Sequence, residues 1–195
     1  MTKVKKVVPS LIMLCLTSIV LSPVFGHEAH SSQSLAEFRS GGSASAAEYD
    51  FELVGKDLST VQMSDFLGQN VLVTFGFTSC PDVCPVVAAS MSKALGMSEK
   101  QAVGIFISVD TERDTPQEMG VYAGYFGEHM VGLTGSHEQV AQAAKNFNAT
   151  FVVSKTPDSY SVQHSPGIYL ISPEGEFLEL FALNADPNAI VAAMQ

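Results

Sequence analysis

The stretch Val71–Pro85, VLVTFGFTSCPDVCP, runs from an apolar segment into two cysteines four positions apart, each followed by proline. Val71 to Phe77 is apolar and, over its first half, β-branched, the pattern of a strand buried on both faces. Beyond the cysteines, Val86 to Leu95 reads as a helix, with Pro85 where a first-turn proline is tolerated and Gly96 as its stop. A loop joining the C-terminal end of a strand to the N-terminus of a helix is where open α/β sheets collect their sites.

The rest of the chain extends that unit. Val103–Val109 is a second buried strand, ending at Asp110. Thr115–Glu118, TPQE, combines a capping box with proline at the first helical position, for a helix to about Phe126. Ser136–Gln139, SHEQ, repeats the capping signal for a helix to about Phe147. Ile168–Ile171 and Glu176–Phe181 flank the turn Ser172–Gly175 as a hairpin, and Asp186 with Pro187 opens a final short helix. Upstream, Tyr49–Leu53 alternates as a short strand before the turn residues Gly55–Asp57. This order predicts an α/β domain over 47–195, a central mixed sheet flanked by helices with a C-terminal β-hairpin. Strand, cysteine loop, helix and terminal hairpin together make the thioredoxin layout.

Composition bounds the rest. Ten basic residues face twenty acidic ones in a chain of 195, a formal charge of −10 that argues against nucleic acid as a partner. Residues 1–26 begin with Lys3, Lys5 and Lys6, continue with the apolar Val7–Phe25, and end at Gly26. That describes a signal peptide cleaved after Gly26, with Val24 at −3; an uncleaved anchor is the competing reading. Cys15 follows Leu14 where a lipobox needs a small residue. Residues 27–46, rich in Ser, Gly and Ala, read as a flexible tether. The expected location is the periplasm or another exported compartment, with membrane contact only through an uncleaved N-terminal segment.

Of three cysteines, only Cys80 and Cys84 survive such processing. A disulfide closing so short a loop restricts the unfolded chain little, so a purely structural staple has small benefit. At a helix N-terminus, by contrast, unpaired N–H groups and the helix dipole favour a thiolate, which is both nucleophile and metal ligand. Cys80 is the better placed of the two for ionisation, and Cys84 can lie on the same face one turn on. Two thiolates can pinch Cu(I), or Zn(II) if the coordination closes at four. Two sulfurs rarely suffice, so a third ligand is sought among five histidines. His129 and His137 read as surface residues, and His27 and His30 fall in the tether, where an N-terminal His27 could chelate copper. His164, in the loop Gln163–Gly167 before the Ile168 strand, abuts the cysteine helix in a thioredoxin layout and can meet both sulfurs.

The chain resembles the Sco (SenC) proteins, thioredoxin-fold copper proteins serving cytochrome c oxidase assembly. The resemblance covers roughly residues 49–193 and rests on VLVTFGFTSCPDVCP, on FISVDTERDTP at Phe106–Pro116 and on QHSPGIYLISPEG at Gln163–Gly175. It implies Cys80, Cys84 and His164 as ligands of copper, Cu(I) and also Cu(II), and supporting roles for Asp82, Asp110 and Asp114. It implies, too, a copper-receiving subunit of a terminal oxidase as partner, with thiol reductants or another copper chaperone around it. Two departures stand out. Gln163 occupies a place where many relatives carry Asp, which removes a charge beside the histidine. Pro166 falls where thioredoxins hold a proline and relatives often do not, which leans towards thiol exchange. Metallochaperone is the expected function. The alternative is a thiol–disulfide oxidoreductase using Cys80 and Cys84 as a catalytic redox pair; a peroxidase-like reductant would have no use for His164 facing two sulfurs.

Overall fold

A computed structural model describes residues 48–194. Residues 1–47, and with them the expected signal, tether, Cys15, His27 and His30, lie outside the described residues.

Among the described residues, nine strands and four α-helices follow one another. They are β1 (Glu52–Val54), β2 (Thr60–Gln62), β3 (Asn70–Gly76), α1 (Val83–Met97), β4 (Ala102–Ser108), α2 (Pro116–Gly124) and β5 (Met130–Leu133). After these come α3 (His137–Asn146), β6 (Phe151–Thr156), β7 (Ser159–His164), β8 (Ile168–Ile171), β9 (Phe177–Phe181) and α4 (Pro187–Ala193). The central sheet has the order β5-β4-β3-β8-β9. Its first three strands are parallel, and β8 and β9 run antiparallel as the C-terminal hairpin. The mixed sheet and its terminal hairpin are as the sequence predicts.

Both faces of this sheet are covered, which is why β3 and β4 are apolar without alternation. Val71, Val73, Phe75, Ile105 and Ile107 point to one face, where Val140, Ala143 and Ala144 of α3 pack with Tyr49, Phe51 and Phe147. Leu72, Phe106 and Leu170 point to the other, covered by α1, by Met119 and Ala123 of α2 and by Ile190 of α4. The two capping boxes form as read: Thr115 with Glu118 opens α2, and Ser136 with Gln139 opens α3.

Several expectations need correction. The cysteine helix begins at Val83, so Cys84 lies inside its first turn, and it ends at Met97 with Ser98 as cap. Gly96 is therefore a residue of the last turn and not its stop. Two helices expected in succession are separated by β5, a four-residue edge strand too short to announce itself. The early strand is displaced to Glu52–Val54 and pairs with β2, while Tyr49 and Phe51 enter the core from the segment before it. Residues 151–164 form the hairpin β6–β7 as a separate two-stranded sheet, so that Gln163 and His164 lie on a strand and not in the expected loop. The hairpin's signal was present: FVVSKT and SYSVQH alternate on either side of Pro157 and Asp158, a strand–turn–strand pattern.

Candidate metal centre

Cys80, Cys84 and His164 converge although the histidine is eighty residues from the second cysteine. One ligand atom from each, two sulfurs and a ring nitrogen, lies within 4.8 Å of the other two. The Sγ of Cys84 and Nε2 of His164 are 3.4 Å apart. Both cysteines are free thiols.

Each side chain is delivered by a different element. Cys84 is buried in the first turn of α1, against the C-terminal end of β3. Gly76 makes that approach possible: a Cβ there would stand 3.0 Å from the Cys84 sulfur and 2.5 Å from the Phe106 ring. Cys80 precedes the helix and is half-buried, its N–H bonded to the Phe77 carbonyl at 3.3 Å. His164 ends β7 rather than sitting in a free loop. Its ring meets the Phe77 edge at 5.9 Å between centroids. Nδ1 donates to the Ser165 carbonyl at 3.3 Å, which leaves Nε2 with its lone pair towards Cys84. The chain after it is fixed where the buried Thr74 hydroxyl donates to the Gly167 carbonyl at 2.8 Å.

The two thiols differ electrostatically. Partial burial opposes ionisation of Cys80, but a hydrogen bond from the Cys84 thiol and the N–H groups of Asp82, Val83 and Cys84 outweigh it and hold the Cys80 thiol below its ordinary value. Burial, and then the same bond to Cys80, pushes Cys84 up to about 12. Burial lowers His164, against a smaller opposing contribution from its bond to Ser165, so the imidazole stays neutral to more acidic pH than usual. A neutral imidazole beside one readily formed thiolate is a set of donors, ready for a soft cation.

A second layer holds these elements together. Buried Asp114 accepts from the Thr78 N–H at 2.8 Å, the Thr78 hydroxyl at 2.6 Å and the Ser108 hydroxyl at 2.5 Å, tying the cysteine loop to the end of β4. Asp110, with no exposed surface, accepts from Arg113 and from the Tyr160 hydroxyl, both bonds 2.5 to 2.6 Å long. The two aspartates are thus structural partners of the site. Asp82 is not: its carboxylate is exposed, and it serves through its backbone N–H. Gln163 faces outward on β7 and Pro166 is exposed, so neither enters the cluster. His129 is exposed beside Glu128, and His137 lies exposed at the start of α3 with its ring against Phe151, both surface residues as read. Thr78, Ser108, Arg113 and Tyr160 escaped the sequence reading, because only tertiary contact gives them a partner.

The fold and this site define a thioredoxin-like α/β domain that presents two thiols and an imidazole at the C-terminal end of its sheet. The chain belongs to the SCO1/SenC family, whose family model matches residues 40–195. Protein sco1 of Schizosaccharomyces pombe is 39% identical over 153 residues, covering 74% of this chain and 58% of that protein. The chain spans between 43% and 62% of the length of such eukaryotic relatives. Among solved structures, ScoI of Arabidopsis thaliana with copper bound is 35% identical with a TM-score of 0.66, covering 73% of this chain and 92% of that one. BsSco, a member of the Sco family of cytochrome c oxidase assembly proteins for which a disulfide switch is described, is 26% identical with a TM-score of 0.59, covering 73% and 88%. No helix among the described residues is long and apolar enough to cross a membrane.

Proposed function

We propose that the chain is a copper-binding metallochaperone serving assembly of the copper centre of cytochrome c oxidase. The observation that carries this reading is the convergence of the ligand atoms of Cys80, Cys84 and His164 to within 4.8 Å of one another. Two sulfurs and an imidazole suit a soft ion, and no carboxylate joins the cluster among the described residues, which argues against calcium or magnesium. Support comes from the copper held by the Arabidopsis relative and from the oxidase-assembly role of the BsSco family. Copper is cargo on this reading, taken up by the dithiol and passed to a copper-receiving subunit of a terminal oxidase. A thiol reductant keeps Cys80 and Cys84 reduced, and another copper chaperone supplies the ion. The N-terminal stretch 1–26 favours work in the periplasm, at the inner membrane if that stretch is retained.

One observation favours a second reading, thiol–disulfide exchange. A half-exposed thiol with lowered pKa beside a buried one with raised pKa is the asymmetry of an attacking and a resolving cysteine. The Cys80 thiolate would attack a partner disulfide, releasing one thiolate and forming a mixed disulfide. Cys84, once deprotonated, would then attack the Cys80 sulfur and release the second thiolate, two electrons passing to the partner. That chemistry needs no imidazole 3.4 Å from Cys84, so the carrier reading is preferred.

The deciding experiment is a Cu(I) titration of the reduced protein with a competing chelator. One Cu(I) per chain is expected, with both thiols protected from alkylation. His164→Ala should keep the fold and weaken Cu(I) binding by more than about tenfold. Reduction of insulin should be far slower than by a C-x-x-C thioredoxin. Rapid copper-independent turnover of insulin, with thiols still alkylated under excess Cu(I), would establish the oxidoreductase instead.

A further inference from the structure

The hairpin β6–β7 carries His164 but is not part of the central sheet. At its base, Ser165 and Thr150 bond one another, the Ser165 N–H to the Thr150 carbonyl at 2.8 Å and the Thr150 N–H to the Ser165 hydroxyl at 2.8 Å. Its ladder fixes His164 opposite Phe151 and, four residues away, Tyr160 opposite Lys155. That Lys155–Tyr160 rung is docked on one segment, residues 110–114. The Tyr160 hydroxyl donates to Asp110 Oδ1 at 2.6 Å, and the Arg113 guanidinium lies over the Tyr160 ring at 4.1 Å. Arg113 in turn grips the other oxygen of Asp110 through Nε and a terminal nitrogen, each at 2.5 Å. On the other strand of the hairpin, Lys155 pairs with Glu112 at 2.6 Å, both groups largely exposed. The same segment holds the cysteine loop, through Asp114 and Thr78.

We propose that Tyr160 is a positioning residue for the metal centre, its bond to Asp110 setting His164 against the cysteine pair. Segment 110–114 is the common bracket, holding the dithiol through Asp114 and the histidine hairpin through Asp110 and Arg113. Asp110 is wholly buried and has two strong donors, so it supplies a fixed point. The Lys155–Glu112 pair is exposed and contributes little. The inference rests on the reading of Cys80, Cys84 and His164 as Cu(I) ligands.

Tyr160→Phe in the full-length chain tests it, because the ring stays under Arg113 and Asp110 keeps its ion pair. In the metal-free protein, amide hydrogen exchange over residues 159–164 should rise about tenfold, the scale of one lost hydrogen bond to a carboxylate, while β3 and β4 are unchanged. Unchanged exchange there, or a rise throughout the chain, overturns the proposal. Cu(I) affinity should fall about tenfold for Tyr160→Phe alone, and fall no further when it is added to His164→Ala. Equal losses in both backgrounds would mean that Tyr160 acts other than through His164, and would also overturn it. Lys155→Ala should shift affinity by less than about threefold. If His164→Ala alone binds Cu(I) as the unaltered chain does, the three-ligand reading fails, and the exchange measurement by itself decides whether Tyr160 places His164.

Discussion

Cys80 and Cys84 sit in one loop, yet their surroundings give them opposite tendencies. Cys80 collects backbone N–H groups at the start of α1 and a bond from its partner; Cys84 is enclosed beneath it, with its thiol pushed up to about 12. At pH 8, iodoacetamide should therefore modify Cys80 faster than Cys84 by at least about tenfold, read by peptide mass spectrometry. Equal rates would contradict the burial of Cys84. His164 gives a pH dependence with a definite sign. Its folded pKa is lowered by burial, so between that value and the ordinary one near 6.5 the unfolded chain binds the extra proton. The stability His164 contributes is complete above about pH 6.5 and is lost as pH falls through the lowered value. Denaturant titrations of the parent and of His164→Gln should thus diverge less at pH 5 than at pH 7. A gap that widens on acidification would reverse the sign.

Two glycines illustrate how an element's packing decides a residue's role. Gly76 closes β3 where the Cys84 sulfur and the Phe106 ring both press against its backbone. Gly76→Ala should cost about 1 to 3 kcal/mol in urea denaturation, because neither neighbour can retreat freely. It should also alter thiol reactivity at Cys84. Gly96, in the last turn of α1, has nothing within 4 Å of an added methyl and no unusual backbone. There, Gly96→Ala should stabilise by about 0.5 to 1 kcal/mol through helix propensity. Destabilisation would restore the sequence reading in which Gly96 ends the helix.

At the scale of the molecule, the core of the described residues begins at Tyr49. Its ring stacks on Phe177 at 5.1 Å and meets Phe147 at 5.4 Å, with Phe51 and Leu53 buried next to it. A chain starting at residue 48 should keep the melting temperature and the Cu(I) affinity of the full chain. One starting at residue 55 loses Tyr49, Phe51, Leu53 and β1, and should be destabilised by more than about 3 kcal/mol, the cost of emptying even one aromatic site. Calorimetry on the two truncations checks both statements. A drop in copper affinity for the longer one would assign a metal-binding role to His27 or His30.

What the amino-acid sequence determined by itself is the local chemistry. An unbroken apolar run marks β3 and β4 because both faces of the sheet are covered; capping boxes mark α2 and α3; a proline-flanked cysteine pair marks the loop between strand and helix. Those signals lie within a few residues of each other and depend on period and caps, so they are visible before folding. The hairpin β6–β7 was legible in principle, since its alternation and its Pro157–Asp158 turn are local, whereas four-residue β5 acquires its identity from pairing with β4. The thioredoxin layout pointed to His164, and resemblance to Asp110 and Asp114, but neither gave their partners. Only the tertiary structure decided that His164 lies on a strand 3.4 Å from Cys84, that Asp82 contributes its N–H rather than its carboxylate, and that Tyr160 reaches Asp110. The physical reason is sequence distance. The Tyr160 bond spans fifty residues and the cysteine–histidine contact eighty, and no periodicity encodes which side chains the closing of the sheet brings together.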